Sequence, residues 1–78
     1  MNVTLYTKKE CGLCEKAERM LQRIQKTVDF ELHLVDIEGE EEVYRRYWAR
    51  IPVVAVEGKE VAEAPIDEAH LRAVLAAA

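Results

Sequence analysis

The chain has 78 residues, half of them hydrophobic and a third charged, with a formal net charge of −4. Those totals predict one small soluble, globular domain over residues 1–78, and its core is marginal in size. The acidic balance lacks the basic excess that a nucleic-acid partner requires. No run is long enough to cross a bilayer, since the longest central apolar stretch is Ile51 to Val56. Met1 to Tyr6 is too short for a secretory leader and is followed at once by Lys8, Lys9 and Glu10. A cytoplasmic, monomeric protein that engages neither nucleic acid nor membrane is expected.

Asn2 to Tyr6 alternates around Val3 and Leu5 and predicts a first strand. From Cys14 onward, Ala17, Met20, Leu21 and Ile24 form one helical stripe, and the helix should fade near Lys26 to Val28. Phe30, Leu32 and Leu34 alternate through a second strand that ends near Asp36. Glu38 to Glu42 places anions at the start of a second helix, where the dipole favours them. Val43, Tyr44, Tyr47 and Trp48 are the expected inner face of that helix. Arg45, Arg46 and Arg50 are its expected solvated edge, which makes the aromatic–arginine run Tyr44 to Arg50 a packing feature rather than a base-stacking one. Ile51-Pro52 should stop the helix.

Val53 to Val56 is continuously apolar and suits an interior strand. Glu57 to Lys59 reads as a hairpin turn, and Glu60 to Ala62 as a weak edge strand. Pro65 and Asp67 open a last helix with Leu71, Val74 and Leu75 inward. The order β-α-β-α-β-β-α predicts an α/β fold with a four-stranded mixed sheet and helices on both faces.

The only two cysteines, Cys11 and Cys14, stand at the first strand-to-helix junction. A disulfide between them closes a loop of about four residues, and the chain-entropy model assigns that only ~2 kcal/mol. A structural staple is therefore a poor use of the pair. A zinc site needs about four ligands, and the remaining soft ligands, His33 and His70, are isolated from each other. No metal ligand set is expected within one chain. A metal or iron–sulfur cluster shared between two chains is the alternative from another class.

Redox chemistry needs a thiolate at neutral pH. Cys11 lies just ahead of the helix, where unpaired N–H groups and the dipole stabilise an anion. Lys8 and Lys9 add positive potential, partly offset by Glu10 and Glu15. Gly12 leaves Cys11 open to attack, and Cys14 sits one turn into the helix on its core side, placed to resolve a mixed disulfide. A Cys-x-x-Cys at such a junction is a redox motif. Ile51-Pro52 agrees with it: a cis bond there would turn the backbone of Ile51 outward beside Cys11, to pair with a substrate. Arg50 is the basic residue of this region placed to meet a substrate carboxylate.

With "LYTKKECGLC" (Leu5 to Cys14), "VDIEGE" (Val35 to Glu40) and "RIPVVAVEGKEV" (Arg50 to Val61), the chain resembles the glutaredoxins of the thioredoxin fold along nearly its whole length. The resemblance implies a thioredoxin-like domain with Cys11 as nucleophile, Cys14 as resolving cysteine and Pro52 as cis-proline. It also implies that Lys8 lies near the thiolate and a bound glutathione carboxylate. The usual Cys-Pro-Tyr-Cys is here Cys-Gly-Leu-Cys, with Leu13 in the aromatic's place, and the usual Thr-Val-Pro is Arg50-Ile51-Pro52. The glycine pair that receives a glutathione carboxylate aligns with Ala62-Glu63, and Glu63 is expected to repel that group. The chain is in these respects similar to small glutaredoxin-like proteins rather than to glutathione-specific ones.

The reading is a thiol–disulfide oxidoreductase acting on protein disulfides or small-molecule mixed disulfides. No bound cofactor is expected, with glutathione as a candidate co-substrate. Glutathione or a flavoprotein reductase would reset the dithiol.

Overall fold

A computed structural model describes residues 1–78. Its elements are β1 (Asn2–Thr7), α1 (Gly12–Ile24), β2 (Glu31–Asp36), a 3₁₀ turn (Ile37–Gly39), α2 (Glu41–Tyr47), β3 (Val53–Val56), β4 (Lys59–Glu63) and α3 (Glu68–Ala77). The strands lie in the order β2-β1-β3-β4. β1 pairs in parallel with β2 and antiparallel with β3, and β3 pairs antiparallel with β4. The fold is the expected mixed α/β sheet, with α1 and α3 on one face and α2 on the other.

The α1/α3 face holds most of the core. Val3, Leu5 and Val54 point down from the sheet onto Ala17, Leu21 and Ile24 of α1 and Leu71 and Leu75 of α3, all fully buried. Phe30 closes the end of this layer from just before β2 rather than within it. Val74, expected to point inward with its neighbours, is only half-buried.

The α2 face is thin: only Ile37, Tyr47 and Val53 are buried, with Tyr6, Val43 and Ile51 packed at their edge. The ring of Tyr47 stacks on Tyr6 at 4.1 Å between centroids and 19° between planes. A stacked pair of this kind adds about 0.5–1.5 kcal/mol beyond its buried area.

Several expectations fail on the thin face and the sheet edge. Val43 and Tyr47, four residues apart, are the pair that turns inward, whereas Tyr44 and Trp48 are each rotated about 100° further around the helix. They face solvent, and Trp48 is 60% exposed. A helix of two turns has room for one such stripe over the sheet, and Tyr47 fills it by stacking on Tyr6. Leu34 is likewise 49% exposed, because β2 is an edge strand and α1 presents Glu15 and Glu18 toward it instead of an apolar lid.

The β3–β4 hairpin has a two-residue loop, Glu57-Gly58, with φ of 48° and 83°. Positive φ at both positions is the type I′ geometry that follows the twist of the strands. Further along, Val54 pairs with Ala62 but Ala55 pairs with Glu60. Val61 is thus an extra residue in β4, a bulge. Side chains alternate across a strand, so residues three apart normally face opposite ways. The bulge restores parity and puts Glu60 and Glu63 on the same face, over α2.

Candidate active site

Register brings the chemistry-bearing residues to one end of the sheet. Tyr6 pairs with Val53 and Thr7 with Asp36, so the β1–α1 loop, the Ile51-Pro52 segment and the end of β2 converge there. The chain leaves β1 through Glu10, a non-glycine residue in the left-handed region at φ 56°. It then reaches Cys11 in extended geometry, and α1 begins at Gly12, directly after Cys11 as expected.

Cys11 is the N-cap of α1. Its Sγ accepts a hydrogen bond from the Cys14 N–H at 3.2 Å, which satisfies one of the four N–H groups that a helix start leaves unpaired. Its carbonyl accepts from the Glu15 N–H at 3.1 Å, the first bond of the helix ladder. The pair is disulfide-bonded, with its Cα atoms 5.2 Å apart. Cys11 is half-buried, whereas Cys14 is 1% exposed and packed on the core side. A position for a Cβ on Gly12 meets nothing within 4 Å, so the approach to Cys11 is open.

Pro52 is buried beside this junction, and the Ile51-Pro52 and Ala64-Pro65 bonds are both cis. The backbone here is less available than the sequence suggests. The Ile51 N–H is already donated to the Tyr47 carbonyl at 3.1 Å, which leaves only the Ile51 carbonyl without a backbone partner. The Ala64 N–H is shared between the carbonyls of Pro52 (2.9 Å) and Arg50 (3.4 Å). Pro65 has no N–H to offer.

Arg50 does not turn toward the dithiol. Its guanidinium bonds to Glu60 and to Glu63 (3.0 Å), and lies 5.3 Å from the centre of the Tyr47 ring. The Tyr47 hydroxyl donates to Glu60 at 3.1 Å. Hydrogen bonding from Arg50, and then from Tyr47, holds the Glu60 carboxyl below the usual carboxylate range. Burial first, and then hydrogen bonding with Tyr6 and Glu60, pushes the Tyr47 phenol up. The expectations for Arg50 and Glu63 are therefore both corrected. Arg50 is committed to a clamp on the α2 face, and Glu63 spends its charge on Arg50 instead of facing an incoming carboxylate. The bulge at Val61 is the physical cause of both.

Two grooves flank the first turns of α1. One, of about 230 Å³, is walled by Leu13, Met20, Pro52, Pro65 and Ile66, with Lys16 as its one charged residue. The other, of about 330 Å³, mixes Lys8 and Lys9 with Glu10, Glu15, Glu18 and Asp36 around the exposed Leu34. Lys8 thus lines the polar groove, and Leu13, 57% exposed, the apolar one. Met20, Ala64 and Ile66 line the apolar groove, a placement that the sequence did not reveal. Met20 was legible only as core, and the loop before α3 carries no pattern of its own.

The model of the Glutaredoxin-like domain (DUF836) matches residues 2–76. The chain belongs to this glutaredoxin-like family. No curated protein matches it. Among solved structures, it is similar to a structural-genomics target protein from X. campestris, with 31% identity, 97% of each chain covered and a TM-score of 0.83. It is also similar to protein Ne2328 from Nitrosomonas europaea, at 33% identity, 95% of this chain and 89% of that one, and a TM-score of 0.79. A mutant thioredoxin from Halobacterium salinarum shares the fold, at 20% identity, 97% and 72% coverage and a TM-score of 0.70. The glutaredoxin-like chain therefore has the fold of a thioredoxin, and its Cys11–Cys14 pair at disulfide distance supports a redox thiol–disulfide role.

Proposed function

We propose that the protein is a cytoplasmic thiol–disulfide oxidoreductase that reduces disulfides of polypeptides. The observation that carries this reading is Cys11 acting as the cap of α1. The Cys14 N–H that donates to its sulfur would stabilise a thiolate, and the helix dipole adds to it. Gly12 keeps the approach open. Cys14, buried one turn on, is held beside the Cys11 sulfur.

In the first step the Cys11 thiolate attacks one sulfur of the substrate disulfide. A mixed disulfide forms and the other substrate sulfur leaves as a thiolate. The Cys14 thiolate then attacks the Cys11 sulfur, the second substrate thiolate leaves, and the Cys11–Cys14 bond closes. Two electrons pass to the substrate, whose two thiolates take up protons from water. A thiol or dithiol reductant, either glutathione or a flavoprotein-coupled one, returns two electrons to the pair.

Leu13, Ile51 and Pro52 border the approach to Cys11 as its substrate-binding rim, with the Ile51 carbonyl as the free backbone acceptor. Glutathione is a poor partner in this reading. The Ile51 and Ala64 N–H groups are already bonded, Pro65 has none, and Arg50 is clamped. A glutathione carboxylate thus finds only the Ile66 N–H and the Lys16 ammonium on this side.

The experiment is alkylation of the reduced protein across pH, coupled to trapping with a Cys14→Ser variant. Cys11 should be modified first, at a pH below the ordinary thiol pKa of about 8.5. Cys14→Ser should stay linked to its substrate through Cys11, while Cys11→Ser should neither trap nor reduce. Preferential labelling of Cys14, or reduction surviving in Cys11→Ser, would reverse the assignment.

A further inference from the structure

Arg50 stands two residues before Pro52, where α2 has ended and β3 has yet to begin. The backbone of this link is tied on both sides. The Arg50 N–H donates to the Tyr47 carbonyl at 2.8 Å, and the Ile51 N–H donates to the same carbonyl. The carbonyls of Arg50 and Pro52 share the Ala64 N–H, which carries the β3–β4 ladder one step beyond its strands.

The side chain of Arg50 joins the same elements a second time. It bonds to Glu60 and Glu63 on β4, and its guanidinium lies over the Tyr47 ring. Tyr47 stacks in turn on Tyr6, at the end of β1 that leads to Cys11. The link to Pro52 is thus fastened to α2, to β4 and, through one ring, to β1. Among the paired arginines, Arg50 has the least exposed side chain, at 32%, and it alone holds two carboxylates. The planar guanidinium fork suits two acceptors at once, which an ammonium does not match. An isolated surface pair contributes little, but this one is a network placed at a single joint.

Pro52 is what the fastening holds. It is buried, and it shares a wall with Leu13, which lies between the two cysteines in the chain. Disulfide exchange passes through a line of three sulfurs, and a displacement of about 1 Å in the groups that position a reaction can cost about a hundredfold in rate.

We propose that Arg50, through its pairing with Glu60 and Glu63, is a positioning residue for disulfide exchange at Cys11: it holds the Ile51-Pro52 segment where the line of sulfurs requires it. The proposal rests on the oxidoreductase reading above and adds to it a residue that is bonded to neither cysteine.

The test is single-turnover oxidation of the reduced protein by hydroxyethyl disulfide, a small neutral oxidant that offers no carboxylate. Arg50→Gln should slow the reaction about tenfold or more. Glu60→Gln combined with Glu63→Gln should slow it comparably, and the triple variant should match Arg50→Gln within about twofold, because the three groups act as one unit. Arg50→Lys, which keeps the charge without the fork, should fall between Arg50→Gln and wild type. Alkylation of Cys11 by iodoacetamide needs only the thiolate, so its pH profile should stay the same in every variant. Ile24→Val, a mild loss of packing under α1, should leave the exchange rate within about twofold of wild type.

An unchanged rate in Arg50→Gln overturns the proposal and leaves the oxidoreductase reading intact. So does full activity in the double glutamate variant, a shifted alkylation profile, or an equal loss in Ile24→Val. Hydrogen exchange at the Ile51 and Ala64 amides gives a readout that does not depend on activity. In Arg50→Gln both should exchange faster, by a larger factor than the core amides of Leu5 and Leu21. If the wild-type chain reacts with no disulfide, the oxidoreductase reading falls. Arg50 then keeps its role as the holder of the Ile51-Pro52 segment if those two amides speed up, and loses it if they do not.

Discussion

The two faces of the sheet are held by different physics. Under α1 and α3, nine buried residues interlock with no polar atom among them except the backbone. Over α2, three buried residues are supplemented by a stacked tyrosine pair and by Arg50 held between two glutamates. The thick face resists change because apolar packing is insensitive to pH and salt. The thin face depends on directional, charged contacts, and it is the face that carries the chain into Ile51-Pro52. The half of the molecule that supports Cys14 is thus held by apolar packing, and the half that leads into Ile51-Pro52 by stacking and charge.

The largest effect should come from the thick face. Leu21→Ala empties a fully buried position between α1 and the sheet, and substitutions of this kind cost about 2–5 kcal/mol. Urea unfolding of the oxidised protein should show a loss in that range with an unchanged slope. A loss under about 1 kcal/mol would mean that the nine-residue cluster is not the main support of the fold.

A smaller effect is expected on the thin face. Tyr47→Phe keeps the ring on Tyr6 but removes the hydroxyl that bonds to Glu60, at a cost of about 0.5–1.5 kcal/mol. The clamp should also respond to acid. The Glu60 carboxyl is lowered in the folded chain by Arg50 and Tyr47. Its contribution is therefore present above the ordinary carboxylate range and is lost as pH falls through the lowered value. Chemical shifts of the Glu60 side chain should titrate below those of a free glutamate, and Tyr47→Phe should move the midpoint upward. A midpoint at the ordinary value in the wild-type chain would remove the clamp from the description of this face.

The smallest effect should follow Trp48→Ala. Although tryptophan is the largest side chain present, here it lies mostly in water, and surface changes of this sort stay within about 0.5 kcal/mol. A loss of about 2 kcal/mol or more would place Trp48 in the core, where the periodicity alone had put it, and would erase the contrast between the faces.

Where a single apolar stripe is backed by several elements, local sequence was sufficient. Ala17, Leu21 and Ile24 fall at helical spacing, Val53 to Ala55 form an unbroken apolar run, and Leu71 and Leu75 complete the layer. The element order and the Cys11-x-x-Cys14 junction were legible for the same reason, since both depend on patterns within a few residues. The start of α1 just after Cys11 was legible as well, whereas the hydrogen bond by which the Cys11 sulfur caps the Cys14 N–H was not.

Failures of local pattern cluster where contacts are long-range. Tyr44 and Trp48 have the same spacing as Val43 and Tyr47, and only the position of Tyr6 on another strand decides which pair turns inward. Leu34 alternates correctly yet stands exposed, because cover for an edge strand must come from elsewhere. Glu63 reads as a free anion until one extra residue at Val61 turns it toward Arg50, thirteen positions earlier in the chain. The sequence by itself determined the fold class and the place of the cysteine pair at the first strand-to-helix junction, since helix and strand patterns act over a few residues. Only the tertiary structure decided the surroundings of that pair: which donors are already bonded, which charges are neutralised and which groove remains apolar. Those depend on register, on a bulge and on side chains that meet from distant parts of the chain.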